Sequence, residues 1–596
     1  MDRRTFLAFA LIFLILLGSQ AVMEKFYGKK PAPAANRSDS LAVSPAVEET
    51  SPELPAALAT GPAEPARTPA AAPDTSPAEL PLDPLEAVSE GAPAVIDVVT
   101  PLYRLRVSTV GGRVTGWEGL EYDSWQGGPV QLVPPDVPEF GEDAILFPDR
   151  ELDLGSLIYR AGETALEVAE GSRSLNLFAS LAGGLEVRKT LTFHADRYGI
   201  GVEVALVAVD GGPARRTLEA VGRPEDVRFA WNQGISPTER NQKMEQMAMR
   251  AVARVGDEYV YKKLNDLKKG VEKVQEQRRG SIRFAGLQDR YFTIVGVVPW
   301  EQGEPVEGTI RLSGDQEKDL QSWSIDVPAR RGAGGEIASA AIDLYIGPQE
   351  AGLLKAYDQG LEESMDLGWK LFRPLAEIVL WGLNLLHQFI PNYGVIIIIF
   401  SVLTKLAFYP LTRTSTQSMK KMQEVQPKLK ALQEKYKDNR EKLNEATMKL
   451  YREEKINPLA GCLPLLVQSP VFIALYQALN HTIALRGQPF VLWIKDLSQP
   501  DALAQLPFAL PFLGSDVNVL PILMAVAMYF QTKMTPTSGA GGQMAMMNTM
   551  MPLIMVFIFY NMPSGLVLYW LVNTILQGYQ SWKIHKTAPS QGAQTA

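Results

Sequence analysis

Cysteine occurs once in 596 residues, at Cys462, so no intramolecular disulfide and no cysteine-rich zinc site can form. Histidine is almost as scarce. His194, His387, His481 and His585 lie far apart, and no HExxH sets two of them on one helix face. Neither a GxxxxGK(S/T) loop nor a GxGxxG is present, so the usual phosphate cradles are missing and nothing suggests nucleotide chemistry. No metal, cofactor or catalytic residue is expected. A one-signed charge is also lacking over most of the chain. The formal net charge is −8, but residues 31–90 hold ten Asp/Glu against two Arg, which accounts for all of it. The neutral remainder gives no compositional argument for nucleic acid.

What is present is segregated along the chain. MDRRTFLAFALIFLILLGSQAVM opens with two arginines before an apolar run from Phe6 to Leu17. The run suits a signal peptide, and extended to Met23 it suits a membrane anchor; either way Arg3 and Arg4 stay in the cytoplasm. Residues 31–90 contain 12 Pro, 15 Ala and no aromatic residue, a composition that cannot bury enough apolar surface to order itself. We read 25–91 as a linker.

From 92 to 348 short alternating segments alternate with Gly-rich turns. LEVRKTLTF (185–193) sets Leu185, Val187, Lys189, Leu191 and Phe193 on one face, and IGVEVALVAV (200–209) follows the turn-like DRYG. Such repetition predicts a large antiparallel β-sandwich. The lysine-rich KKLNDLKKGVEKV (262–274) reads as a solvated connector.

Within 349–391, Trp369, Phe372, Ala376, Val379, Leu383, Leu386 and Ile390 recur at helical spacing. This predicts an amphipathic helix lying in a membrane interface, or else packed on the β-domain. Apolar segments follow near 393–411, 460–482, 518–534, 546–562 and 565–581. The 412–456 loop carries twelve Lys/Arg against seven acids, the 485–517 connection two against three. By the positive-inside rule the first is cytoplasmic and the second faces the side of the β-domain. The loop itself predicts a helical hairpin over 413–456 with a basic exterior, bent at Pro427. Ten of the nineteen methionines lie between 520 and 562, which suits either lipid-facing filler or an adaptable apolar surface.

One residue resists the apolar pattern. NYGVIIIIFSVLTKLAFYPLT (392–412) carries Lys405, with Ser401 one turn before it and Thr412 two turns after. A helix running to Leu411 would bury Lys405 roughly 9 Å deep, where a lysine costs about 2.5–3.5 kcal/mol. Snorkelling is one account. The other is a hydrated polar cavity, because Gln468 sits inside the next segment and Trp570, Asn573, Gln577 and Gln580 share one face of the last. No Asp or Glu lies inside any of the five segments to pair with the lysine. A secondary transporter would call for carboxylate relays, which are missing. An intramembrane protease built on Ser564 and His585 would have its nucleophile and base on opposite sides.

In chain order, LYIGPQE at the end of the β-domain, NYGVIIIIFSVLTKLAFYPLT, INPLAGCLPLLVQSPVFIALYQAL, VLWIKDLSQPD and MPSGLVLYWLVN closely resemble the YidC family of membrane protein insertases, in its Gram-negative form. The resemblance implies a polytopic α-helical membrane protein of the bacterial inner membrane. It would have an N-terminal anchor (1–24), a five-helix core (392–582), a cytoplasmic tail (583–596) and a large all-β, supersandwich-like periplasmic domain. It implies an ATP-independent insertase and chaperone acting alone or with the Sec translocon; a translocon-dependent chaperone is the alternative. The groove would be formed by Lys405, Ser401, Gln468, Tyr569, Trp570 and Asn573. Nascent membrane proteins would be the clients, and Lys420, Lys421, Lys428, Lys430, Lys435 and Arg440 would dock clients, the ribosome or anionic lipids. The family usually carries arginine where this chain has Lys405, so the charge is kept but the planar five-donor fork is lost. Trp570 stands where tyrosine is common.

Overall fold

The computed structural model describes residues 83–587 apart from 89–90, 135–142, 264–272, 301–302, 316–319, 333–334, 358, 366–371, 438, 455–462, 511–512 and 535–540. The N-terminal apolar run, nearly all of the Pro/Ala-rich segment, Trp369 and most of the lysine-rich connector therefore lie outside the described residues.

Alternation along the first half produces sheets. Leu185–His194 alternates buried and half-buried residues throughout and pairs antiparallel with Ser172–Ser180 and Gly199–Ala208. These strands belong to a 14-stranded sheet. A 5-stranded sheet, Pro129–Gln131, Arg113–Asp123, Tyr103–Ser108, Val95–Val99 and Ala165–Glu167, accompanies it. Its last pairing is parallel. Apolar faces meet in a core where Tyr103 stacks near Trp117 and Tyr198 at centroid separations of 6.0 and 6.2 Å. Lys189, on the inward face of its strand, is buried there. Its ammonium donates to Asp143 Oδ2 at 2.8 Å and the Gly111 carbonyl at 3.2 Å, and Asp143 Oδ1 accepts the Ala230 N–H. The pairing is what makes a core-face lysine tolerable.

Helices follow in chain order: α1 (Gly211–Val221), α2 (Gln242–Ala248), α3 (Ala351–Lys355), α4 (Arg373–His387), α5 (Tyr393–Ala407), α6 (Tyr409–Glu424), α7 (Gln426–Lys435), α8 (Arg440–Glu453), α9 (Leu463–His481), α10 (Leu520–Met534), α11 (Gly541–Phe559) and α12 (Ser564–Thr587). Asn392 starts α5 by accepting the Val395 N–H at 3.1 Å. The helix stops at Ala407, because Pro410 disfavours helical geometry in the residue before it and fits only the first turn of a new helix. The two helices meet at a 68° bend. Pro427 acts likewise: it opens α7 rather than bending a continuous helix.

Two expectations change here. Among the described residues no single helix is long and apolar enough to cross a membrane; by length and composition only the bent pair Tyr393–Ala407 with Thr412–Met422 is. At 15 residues, α5 and α10 each rise about 22 Å against a hydrocarbon core of about 30 Å. Second, the α4 stripe is turned inward: Ala376, Val379 and Leu383 are buried, while Ile378, Trp381 and Leu385 are exposed on the opposite side. Periodicity had marked one apolar face where the helix has two.

Candidate functional site

Ending α5 at Ala407 puts Lys405 in its last turn, not six residues inside a longer helix. A cation there complements the carbonyl end of the helix. The ammonium donates to Gln577 Oε1 of α12. One level further on, Thr412 and Gln580 are joined at 3.2–3.4 Å. Around this ladder Thr404, Lys405, Phe408, Thr412, Gln468, Tyr569 and Asn573 line a cavity of about 10 Å³, room for a single water. The polar stripes therefore converge, but on a pocket of single-water size.

Four of the six anticipated groove residues, Lys405, Gln468, Tyr569 and Asn573, share this wall. Ser401 does not: it is buried and its hydroxyl donates back to the Ile397 carbonyl at 2.7 Å. Trp570 is also absent from the wall and packs edge-on against Phe472, 4.9 Å between centroids, and near Phe559. The Tyr569 hydroxyl points toward Thr404, Gln468 and Asn573 yet forms no hydrogen bond of ordinary geometry. Gln577, named on the polar face of the last segment but not among the six anticipated groove residues, is the partner of Lys405. Its signal was present, four residues after Asn573 on the same face. Among the described residues no cluster of His, Cys, Asp and Glu could hold a metal ion.

The basic residues lie on other elements, α6 to α8. Lys421, Lys428, Lys430 and Lys435 are exposed and Lys420 is half-buried. Lys428 pairs with Glu454 at 2.6 Å. The Arg440 side chain lies outside the described residues. Of the methionines, Met524 is fully buried and Met550 exposed, so they form no single surface.

The pocket's helices are fastened to the β-domain through the end of α9 and the loop that follows it. Arg290, fully buried, donates to the carbonyls of Asn480 at 2.9 Å and Ser498 at 3.0 Å. Arg486 donates to Glu239 at 2.6 Å, and Gln499 donates to the other oxygen of the same carboxylate. The loop in turn accepts the Ser564 and Gly565 N–H groups that begin α12, and Asp501 accepts those of Val519 and Leu520 at the start of α10. Behind Glu239 lie two more buried carboxylates. Burial pushes the Glu245 carboxyl up to about 6, and burial with the neighbouring Glu245 charge pushes Asp289 up as well. A raised carboxylate favours the protonated folded state, so this stabilisation is full below the ordinary value near 4.5 and fades as pH rises through about 6. Thermal melts should therefore show the β-domain's Tm losing a few degrees across that window. Glu245→Gln should flatten the step; an unchanged step would exclude Glu245 as its source.

Two family descriptions match the chain: the YidC periplasmic domain over residues 95–381 and the 60Kd inner membrane protein over 385–591. A Syntrophus aciditrophicus protein named Membrane protein insertase YidC is 33% identical over 99% of this chain and 100% of its own length. The chain belongs to the YidC family of membrane protein insertases. A relative of the same name from Chlorobium luteolum is 36% identical over 74% of this chain and 73% of its own. A solved structure described as an active YidC insertase with its first transmembrane domain resolved aligns with 85% of this chain and 96% of its own. Its identity is 17% and its TM-score 0.35, too low to carry an argument. Membership makes this a non-enzymatic inner-membrane family with a β-rich periplasmic domain, and the 5- and 14-stranded sheets fall in the segment matched to that domain.

Proposed function

We propose that this protein integrates nascent membrane proteins into the inner membrane without nucleotide, using Lys405 to draw a client's acidic flank into the inner leaflet. The observation behind this reading is a cation in a polar pocket between four helices whose partner is a neutral amide: among the described residues no carboxylate pairs with Lys405. An uncompensated charge in low-dielectric surroundings attracts an incoming carboxylate far more strongly than it would in water. In this reading α5 with the first turn of α6, and α9 to α12, form a multi-pass core, the bent and short helices being accommodated by a locally thinned bilayer. The 349–391 segment lies in the outer interface, and the basic 413–456 hairpin meets ribosomes, lipids or the Sec translocon.

The test is insertion by purified protein in sealed liposomes with neither nucleotide nor translocon. The client is a single-span protein with a short acidic tail, scored by protease protection. Native protein and Lys405→Arg should protect it, while Lys405→Ala falls at least fivefold. Absence of protection by folded native protein would favour a second reading, a translocon-dependent chaperone, to which the small size of the pocket, about 10 Å³, lends support.

A further inference from the structure

Leu492 is the one non-glycine residue with positive φ among the described residues, at 57°. It is also 86% exposed. A Cβ disfavours this conformation, which glycine or asparagine adopts with less strain, and an exposed leucine gains nothing from burial in exchange. The surrounding chain enforces the geometry. Phe490 N–H bonds the Ile494 carbonyl at 3.0 Å, Ile494 N–H bonds Val491 at 3.2 Å, and Trp493 is tied to Asp501 at 3.0 Å. Ile494 and Leu497 are buried beneath. The turn thus holds Leu492 outward with exposed Val491 beside it.

The turn sits at a defined place. Asn392 Nδ2 donates to the Phe490 carbonyl at 3.3 Å, and Phe490 packs so closely on Gly394 that a Cβ there would come within 2.0 Å of its ring. Asn392 begins α5, three residues after Phe389, which is 78% exposed and continues the outward stripe of Ile378, Trp381 and Leu385. Strain kept at an exposed apolar tip points to a contact the isolated chain does not make. We infer that Leu492 is an apolar anchor seated among the acyl chains of the outer leaflet, next to the outward face of α4.

Three features favour lipid as the occupant. The turn meets the start of α5 three residues after the α4 stripe ends at Phe389, the exposed side of α5 is apolar at Val395, Val402 and Leu403, and exposed Lys495 follows Leu492 three residues on for headgroup phosphates. The inference rests on the reading of the core as membrane-embedded, and its test separates the two. In full-length protein with Cys462→Ser, a fluorophore is placed by Leu492→Cys, by Val491→Cys as a second site on the turn, and by Leu403→Cys on α5. Each protein is reconstituted into phosphatidylethanolamine and phosphatidylglycerol vesicles carrying nitroxide lipids. At least twofold quenching at 492 and 491 by shallow nitroxides, with quenching at 403 by deep ones, is the expected result. Quenching at 403 alone would overturn the anchor and leave the membrane core standing. No quenching anywhere would overturn both. Quenching at 492 relieved by an added client helix would reassign the tip to client docking and overturn the lipid assignment.

Discussion

Replacing Lys405 with glutamate should invert the client preference. Protection of an acidic-tailed client should fall at least tenfold in liposomes, and a client whose tail is rewritten with lysines should gain it. At about 4 Å and an effective dielectric near 20, a pair of unit charges interacts by about 4 kcal/mol. Changing the sign replaces attraction with repulsion of similar size, while tenfold discrimination needs only about 1.4 kcal/mol. The pocket has the means to accept the change. Gln577 can turn its amide so that the NH2 group donates to the new carboxylate, and the Thr412–Gln580 pair is a separate rung. An acid in the last turn of α5 opposes the helix dipole, a cost of roughly 0.3–1 kcal/mol, too small to unfold the core. If the native protein and Lys405→Glu rank the two clients alike, charge at 405 does not select clients, and the lysine serves only as a helix-terminal cation.

How far this was legible in the sequence depends on the range of the interaction concerned. Alternation in LEVRKTLTF placed Lys189 on the inward face correctly, because side-chain direction in a strand is local. Its partner Asp143, 46 residues away, could not be read, since pairing at that distance depends on strand order. Lys405 stood out for its chemistry alone. The choice of Gln577 over Asn573 or Gln580 depends on the register of α12 against α5, which no periodicity fixes. The end of α5 is legible in the sequence: Pro410 lies in the quoted stretch and favours a break before it, whereas the apolar run alone extends to Leu411. For α4 the difficulty was physical. Both faces are apolar, one for protein and one outward, and a hydrophobic period cannot tell the two solvents apart. The contacts that join the β-domain to the helices left no signal, because Glu239, Arg290 and Arg486 are ordinary charges until the fold brings them together.

The loop after α9 carries the second large effect. Arg486→Ala should lower the apparent Tm of the detergent-solubilised protein by roughly 5–10 °C and open the chain to protease between the β-domain and the helices. Arg486 and Glu239 are only 8% and 4% exposed, so removing the guanidinium leaves a buried carboxylate with no cation. Breaking a buried pair from one side costs about 3–5 kcal/mol. Gln499 would still donate to Glu239, but a neutral amide does not cancel a charge already crowded by Glu245 and Asp289. The partner change Glu239→Gln should cost less, because it removes a charge from that crowd while an amide keeps one acceptor. The double variant should then recover part of the loss, a coupling that independent surface charges would not show. Because the loop also receives the first N–H groups of α12 and, through Asp501, of α10, the loss should reach the pocket. Arg486→Ala should therefore reduce insertion of acidic-tailed clients as well, although Lys405 is untouched. A full loss of stability with unchanged insertion would show that the loop fastens the β-domain without positioning the helices that carry Lys405 and Gln577.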